Sequence, residues 1–184
     1  MTTIAYRDGI MAADTRVVNG ADMINLGEQR KIHEPGEGEY WSVNGDRIIC
    51  FGLSGSLTDL LAFKELLSEG ITFKTKAPDH LVGDSNMLCV GEQGNVWLVS
   101  AFKQRDGSMV FTVSCVQPPF AIGSGGIYAS SVMAVGKSAV DAVKVACKLD
   151  IFSGGRIDTW ELPLFQKPPV SALNRPPIRR QNNP

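Results

Sequence analysis

The sequence predicts an α+β fold: two stacked antiparallel sheets with helices on both outer faces, a four-layer αββα arrangement. Three observations lead there. The chain opens on a hairpin signature at Arg7-Asp8-Gly9, segments of strand character come in groups before and after one helical segment, and two further helical segments precede a last strand. At 184 residues the chain is long enough for one domain with a buried core. That domain spans residues 1–162, and residues 163–184 are a proline-rich C-terminal extension.

Residues 2–6 and 10–13 are apolar-rich and flank Arg7-Asp8-Gly9. Asp-Gly favours a primed turn because both of its central residues take φ > 0. The first strand therefore starts at the second residue, where a domain usually frays. Asn19-Gly20 is another turn signal, and residues 26–33 alternate as a strand carrying Arg30, Lys31 and Ile32 until Pro35-Gly36-Glu37-Gly38 breaks it. Residues 47–52 are short, apolar and β-branched, as in a buried strand.

Ser54-Gly55-Ser56 leads into a helix predicted over residues 56–69. Ser56 is the expected N-cap with Asp59 three residues on, Leu57, Leu60, Leu61, Lys64 and Leu67 follow a 3.6-residue spacing, and Gly70 ends it. A glycine-rich turn before a helix N-terminus can hold an oxyanion, and it is equally an ordinary strand-to-helix joint. Residues 71–85 include Pro78 and read as loop. Residues 86–90 and 96–102 form a hairpin, and residues 109–116 pair back across Arg105-Asp106-Gly107. Ala121-Ile122-Gly123-Ser124-Gly125-Gly126 precedes helices over 127–135 and 138–149, the second opened by the pair Ser138 and Asp141. Val132, Met133, Val140, Val143, Ala146 and Cys147 are spaced for one buried face. A glycine C-cap within Asp150-Ile151-Phe152-Ser153-Gly154-Gly155 closes the last helix, and residues 156–162 alternate as a final strand. The extension is either a disordered end or an extended arm lying along a neighbouring subunit, and its apolar anchors, Leu164, Phe165, Val170 and Leu173, among the prolines favour the arm.

The totals exclude several classes. The chain is 43% hydrophobic and 20% charged with a formal charge of −1, so no long-range field argues for nucleic acid or an anionic membrane. No apolar run reaches the length of a membrane span, and the start lacks the order of a signal peptide, which makes the cytoplasm the expected location. Cys50, Cys89, Cys115 and Cys147 are widely spaced within apolar runs and read as core residues. His33 and His80 are too few and too distant for a metal site, and His33, beside Pro35 in a polar turn, reads as surface. No cofactor and no metal are expected.

The residue at the fixed start is Thr2. A threonine hydroxyl is a poor nucleophile that needs a base, and a free α-amine on the same residue, with a pKa of about 7.7–8.0, is such a base. The condition is removal of Met1, which a small second residue permits. Thr2 is equally an ordinary strand starter.

From Thr2 to about Leu162 the chain resembles the proteasome β-subunits of the bacterial HslV type, within the N-terminal-nucleophile hydrolases. Thr2-Thr3-Ile4 and Ala12-Ala13-Asp14-Thr15-Arg16 match the opening hairpin of that family, Lys31 in Arg30-Lys31-Ile32 its catalytic lysine, and Gly55 its oxyanion glycine. Ser124 matches the serine near the nucleophile, and Asp150 and Ser153 the pair that supports the threonine amine. Each match is weak alone; together, in order and with compatible spacing, they are specific.

The resemblance implies a threonine endopeptidase without a cofactor, acting on polypeptides inside a homo-oligomeric ring or double ring. Thr2 attacks, its α-amine takes the proton, Lys31 paired with Asp14 favours the deprotonated hydroxyl, Gly55 binds the oxyanion, and Ser124, Asp150 and Ser153 orient the amine. Val17, Gln29, Leu53 and Leu57 line the pocket for the side chain before the cleaved bond, which implies a hydrophobic preference. It also implies an unfolding ATPase as partner. The docking face for that partner carries two packed helices in the family, however, and here the second is cut to the short polar stretch 74–84. Smaller proteasome-like peptidases of bacteria and their phages share this trimmed look. Two other classes stay open: a ring-forming scaffold that retains Met1, and an amidase for a small molecule, against which the motif order argues.

Overall fold

The hairpin forms where Asp-Gly places it. β1 (Ile4–Arg7) and β2 (Ile10–Asp14) pair antiparallel from Ile4↔Ala13 to Arg7↔Ile10, and Asp8 (φ 50°) and Gly9 (φ 81°) supply the two positive φ of a type I′ turn. The computed structural model describes residues 2–18, 25–78 and 81–163. The expected turn at Asn19-Gly20, His80, and the extension beyond Pro163 lie outside them.

β3 (Arg16–Val18) pairs with β4 (Asn25–Glu28) in a small two-stranded sheet. There follow β5 (Ile32–His33), β6 (Trp41–Val43), β7 (Asp46–Ser54), a 3₁₀ turn (Leu57–Asp59), α1 (Leu60–Glu69), β8 (Ser85–Gly91), β9 (Val96–Lys103) and β10 (Met109–Val116). The chain continues through β11 (Phe120–Ile122), α2 (Gly126–Ala134), α3 (Ala139–Leu149) and β12 (Ile157–Glu161). The result is a mixed α+β fold with antiparallel sheets. One has the order β11-β1-β2-β12; the other runs β10-β9-β8-β7-β5 with β6 also on β7.

Because strand side chains alternate between faces, each sheet feeds two apolar clusters. Ile4, Tyr6, Met11 and Trp160 of the four-stranded sheet pack against Cys50, Leu88 and Val90 of the larger one. The approach is close: a Cβ at Gly52 would meet the side chains of Ile4 and Met11. On the opposite face of the hairpin, Ala5 and Ala12 are small enough for α2 and α3 to lie flat, with Ala129, Met133, Val143 and Ala146 against them. On the other face of the larger sheet, Phe51, Leu53, Met87 and Cys89 pack with Phe63 and Leu67 of α1.

Several expectations change. The strand expected over 26–33 is two strands, because β4 pairs with β3 while β5 pairs with β7. Lys31 lies in the connecting bend between those sheets, its carbonyl accepting the Leu53 N–H at 3.1 Å. Ser56 makes no side-chain cap; α1 is entered through the 3₁₀ turn, and Asp59 is turned inward at 2% exposure. The C-cap of α3 is Asp150, extended at φ −95° and ψ 114°, and not a glycine. The Asp150 carboxylate accepts the Phe152 N–H at 3.2 Å, which bends the chain there without a left-handed residue. Ser138 does cap α3, its Oγ accepting the Asp141 N–H at 3.1 Å. Gly70 ends α1 with φ 92°. Cys115 is exposed on the edge strand β10, and Cys147 is only half-buried, whereas Cys50 and Cys89 are core residues whose thiols burial pushes up. His33 is half-buried against the Phe51 ring at 5.1 Å, and burial, helped by Lys64 and Arg30, brings its pKa down to about 4. Among the described residues, no helix is long and apolar enough to cross a membrane.

Candidate active site

The β1–β2 ladder extends past β1 toward the N-terminus and fixes Thr3 and Thr2. Asp14 N–H donates to the Thr3 carbonyl at 3.1 Å, and Thr3 N–H donates to Asp14 Oδ1 at 2.8 Å. Thr2 is 3% exposed and Thr3 wholly buried. The glycines of the loop before α2 permit this. At Gly123 (φ 90°) a Cβ would overlap the Thr2 carbonyl oxygen, and at Gly125 it would overlap Thr3 Oγ1. The loop therefore lies directly on Thr2 and Thr3.

Two buried carboxylates organise the surroundings. Asp14, at the end of β2, is fully buried and receives Lys31 Nζ on Oδ1 at 2.9 Å and the Gly154 N–H on Oδ2 at 2.9 Å. Lys31 is 3% exposed. Its pKa is lowered: burial dominates, and the charge and hydrogen bond of Asp14 oppose it. A lysine so placed gives up its proton more readily than a free one.

Asp150, at the end of α3, receives Ser124 Oγ at 2.7 Å and Ser153 Oγ at 2.6 Å on the same oxygen. A hydroxyl has one hydrogen, and a carboxylate only accepts. Ser153 therefore spends its hydrogen on Asp150, so in the 2.7 Å contact between Thr3 Oγ1 and Ser153 Oγ it is Thr3 that donates. By the same count Ser124, whose Oγ is 3.5 Å from the Thr2 carbonyl oxygen, has lone pairs free to accept from a neighbouring N–H.

A cleft of about 310 Å³ opens beside these groups. Thr2, Arg16, Val17, Val18, Leu26, Lys31, Leu53, Gly55, Ser56, Leu57 and Thr58 line it. Gly55 holds φ 130° against the start of β8. The lining thus combines a threonine, a buried lysine and a glycine turn with the apolar side chains of Val17, Val18, Leu26, Leu53 and Leu57 and with Arg16, Ser56 and Thr58. A larger hollow of about 470 Å³ around Thr75, Lys76, Gly107 and Phe111 contains no such set.

Of the residues singled out by sequence, Thr2, Lys31, Gly55, Val17, Leu53 and Leu57 meet at this cleft. Asp14 stands behind Lys31, and Ser124, Asp150 and Ser153 form one linked cluster behind Thr2 and Thr3. Gln29 departs from expectation: it is exposed and not among the lining residues, and it follows β4 with its N–H donating to the Thr15 carbonyl at 2.7 Å. Sequence reasoning missed Arg16, Val18, Leu26, Ser56 and Thr58 in the lining and Gly154 beneath Asp14. The double glycine 154–155 was the available signal for the last, and it was read as a helix stop.

No protein-family model and no curated protein matches the chain.

Proposed function

We propose that the chain is a threonine endopeptidase of the N-terminal-nucleophile hydrolases, with the four-layer αββα sandwich of that superfamily, on its resemblance to the proteasome β-subunits of the HslV type. The observation that supports the reading is that Thr2, Lys31 and Gly55 line one cleft, with the hydroxyl cluster on Asp150 linked to Thr2 and Thr3.

The chemistry follows from those positions. Once Met1 is removed, the Thr2 nitrogen is an amine instead of an amide. Thr2 Oγ attacks the peptide carbonyl, and its proton passes to the amine through a water. The lone pairs of Ser124 orient that amine. Lys31 favours the oxygen's anionic character, and Asp14 holds the lysine in place. The carbonyl oxygen becomes an oxyanion at the Gly55 N–H, an interaction of a type worth about 2.7–4 kcal/mol. The amine then returns the proton to the leaving nitrogen as the C–N bond breaks, leaving an ester on Thr2. Water, deprotonated by the same amine, hydrolyses the ester and restores the enzyme.

Val17, Leu53 and Leu57 favour a hydrophobic side chain before the cleaved bond. A homo-oligomeric ring or double ring in the cytoplasm would admit only unfolded polypeptide. Ile127 on α2 and Val135 at its C-cap, 72% and 75% exposed, are suited to contacts between subunits. An unfolding ATPase remains the least supported partner, since the described residues between α1 and β8 form no second helix.

Replacing Thr2 by alanine tests the reading. Cleavage of leucine- or tyrosine-type reporter peptides should vanish while particle mass stays unchanged. Persistent cleavage would overturn the nucleophile, preference for basic reporters would overturn the pocket, and a purified inactive ring still carrying Met1 would leave only a scaffold.

A further inference from the structure

We propose that Asp59 and Ser85 are positioning residues that latch the turn carrying Gly55; the catalytic meaning of the latch rests on the function proposed above. Neither residue touches the cleft. Asp59 is 2% exposed at the end of the 3₁₀ turn, and Ser85, at the start of β8, is completely buried. Ser85 Oγ donates to Asp59 Oδ2 at 3.1 Å and accepts the Ser56 N–H at 3.3 Å. The carboxylate thereby fixes the direction of the relay: it takes the hydroxyl hydrogen, which turns the Ser85 lone pairs toward Ser56.

The other carboxylate oxygen, Asp59 Oδ1, accepts the Val82 N–H at 3.0 Å. One buried side chain thus ties the segment before β8 to the turn before α1. The contact is tight, since a Cβ on Gly55 would run into the Asp84 carbonyl and the Ser85 side chain. On its other side the turn is held by the β7–β8 register at Ser54↔Asn86. Ser54 and Ser56 are both pinned, so the peptides on either side of Gly55 have one orientation. An oxyanion donor must be aimed before the charge develops, since reorganising it during the reaction forfeits its contribution. The segment before β8, whose described residues form no second helix beside α1, here works as a strap behind the oxyanion turn.

Asp59→Asn keeps the side chain's size and removes one acceptor; Ser85→Ala removes the relay. In both, kcat should fall about tenfold to a hundredfold with KM unchanged. Labelling of Thr2 by a vinyl sulfone, whose addition develops no oxyanion on a carbonyl oxygen, should keep its wild-type rate. A purely structural role would lower both together, and wild-type kcat in either variant would overturn the proposal. Amide hydrogen exchange decides the latch independently of activity: the Ser56 N–H should exchange at least about tenfold faster in Ser85→Ala. If wild-type protein neither cleaves nor labels, the functional reading fails while the exchange result still stands. Unchanged exchange at Ser56 overturns the latch even in an active enzyme.

Discussion

Replacing Lys31 by methionine should separate stability from chemistry. The substitution keeps an unbranched side chain of similar length and removes the ammonium, leaving Asp14 as a fully buried carboxylate. Removing one partner of a buried pair costs about 3–5 kcal/mol. Asp14 retains two donors, the Thr3 N–H at 2.8 Å on Oδ1 and the Gly154 N–H at 2.9 Å on Oδ2, which places the loss near the lower end, about 3 kcal/mol. For a domain of this size that is a fall in Tm of about 6–12 °C. Adding Asp14→Asn removes the stranded charge. The new amide can accept from only one of the two N–H groups, so about 1 kcal/mol of loss remains. The double variant is therefore more stable than the single by about 2 kcal/mol. Urea unfolding of the wild type, the single variant and the double variant reads this directly, and peptide hydrolysis should be lost in both variants, which lack Lys31. A Lys31→Met protein within about 0.5 kcal/mol of wild type would refute the reasoning, because no buried charge would then depend on the lysine. So would a double variant that regains activity. Linkage adds a sign check. Burial lowers the Lys31 pKa, so between that value and about 10.4 the unfolded chain binds more protons and stability rises with pH; Lys31→Met should remove that component.

Gly123→Ala should abolish peptide cleavage and cost at least about 1–3 kcal/mol, since the residue sits at φ 90° and its new Cβ overlaps the Thr2 carbonyl oxygen; a variant with wild-type kcat would contradict the packing of that loop. His33, with its pKa brought down to about 4, stays neutral in the folded protein while the unfolded chain protonates near 6.5. Its stabilising contribution is whole above about pH 6.5 and lost as the pH falls toward 4. In thermal melts His33→Phe, which keeps a ring against Phe51, should flatten that acid-side slope, and an unchanged slope would count against a buried neutral imidazole.

Much of this was legible in the residues. Asp8-Gly9 specified both the turn and, through its register, which face of each strand is buried; Ile4, Tyr6 and Met11 follow from it. Ser138 capped α3 as its spacing required. The misreadings have physical causes. Gln29 and Asp59 each depend on a partner distant in sequence, to which local pattern is blind, and the C-cap at Asp150 is made by an acid closing a turn onto Phe152 where a glycine was expected. Asp59 looked like half of a capping box because its partners, Val82 and Ser85, lie more than twenty residues away. Leu26 and Val18 line the cleft from β4 and β3, which pair only with each other in a small sheet that local pattern does not announce. Conversely, the resemblance named Asp14 and Lys31 from isolated motifs, and their 2.9 Å contact is a feature that periodicity alone could not supply.

The most direct test of the central claim is intact-mass analysis of the purified protein after treatment with a threonine-directed electrophile, followed by peptide mapping. The account predicts a chain beginning at Thr2 with one adduct on that residue and none in Thr2→Ala. A chain that keeps Met1 yet hydrolyses peptides, or an adduct mapped to any other residue, would contradict it.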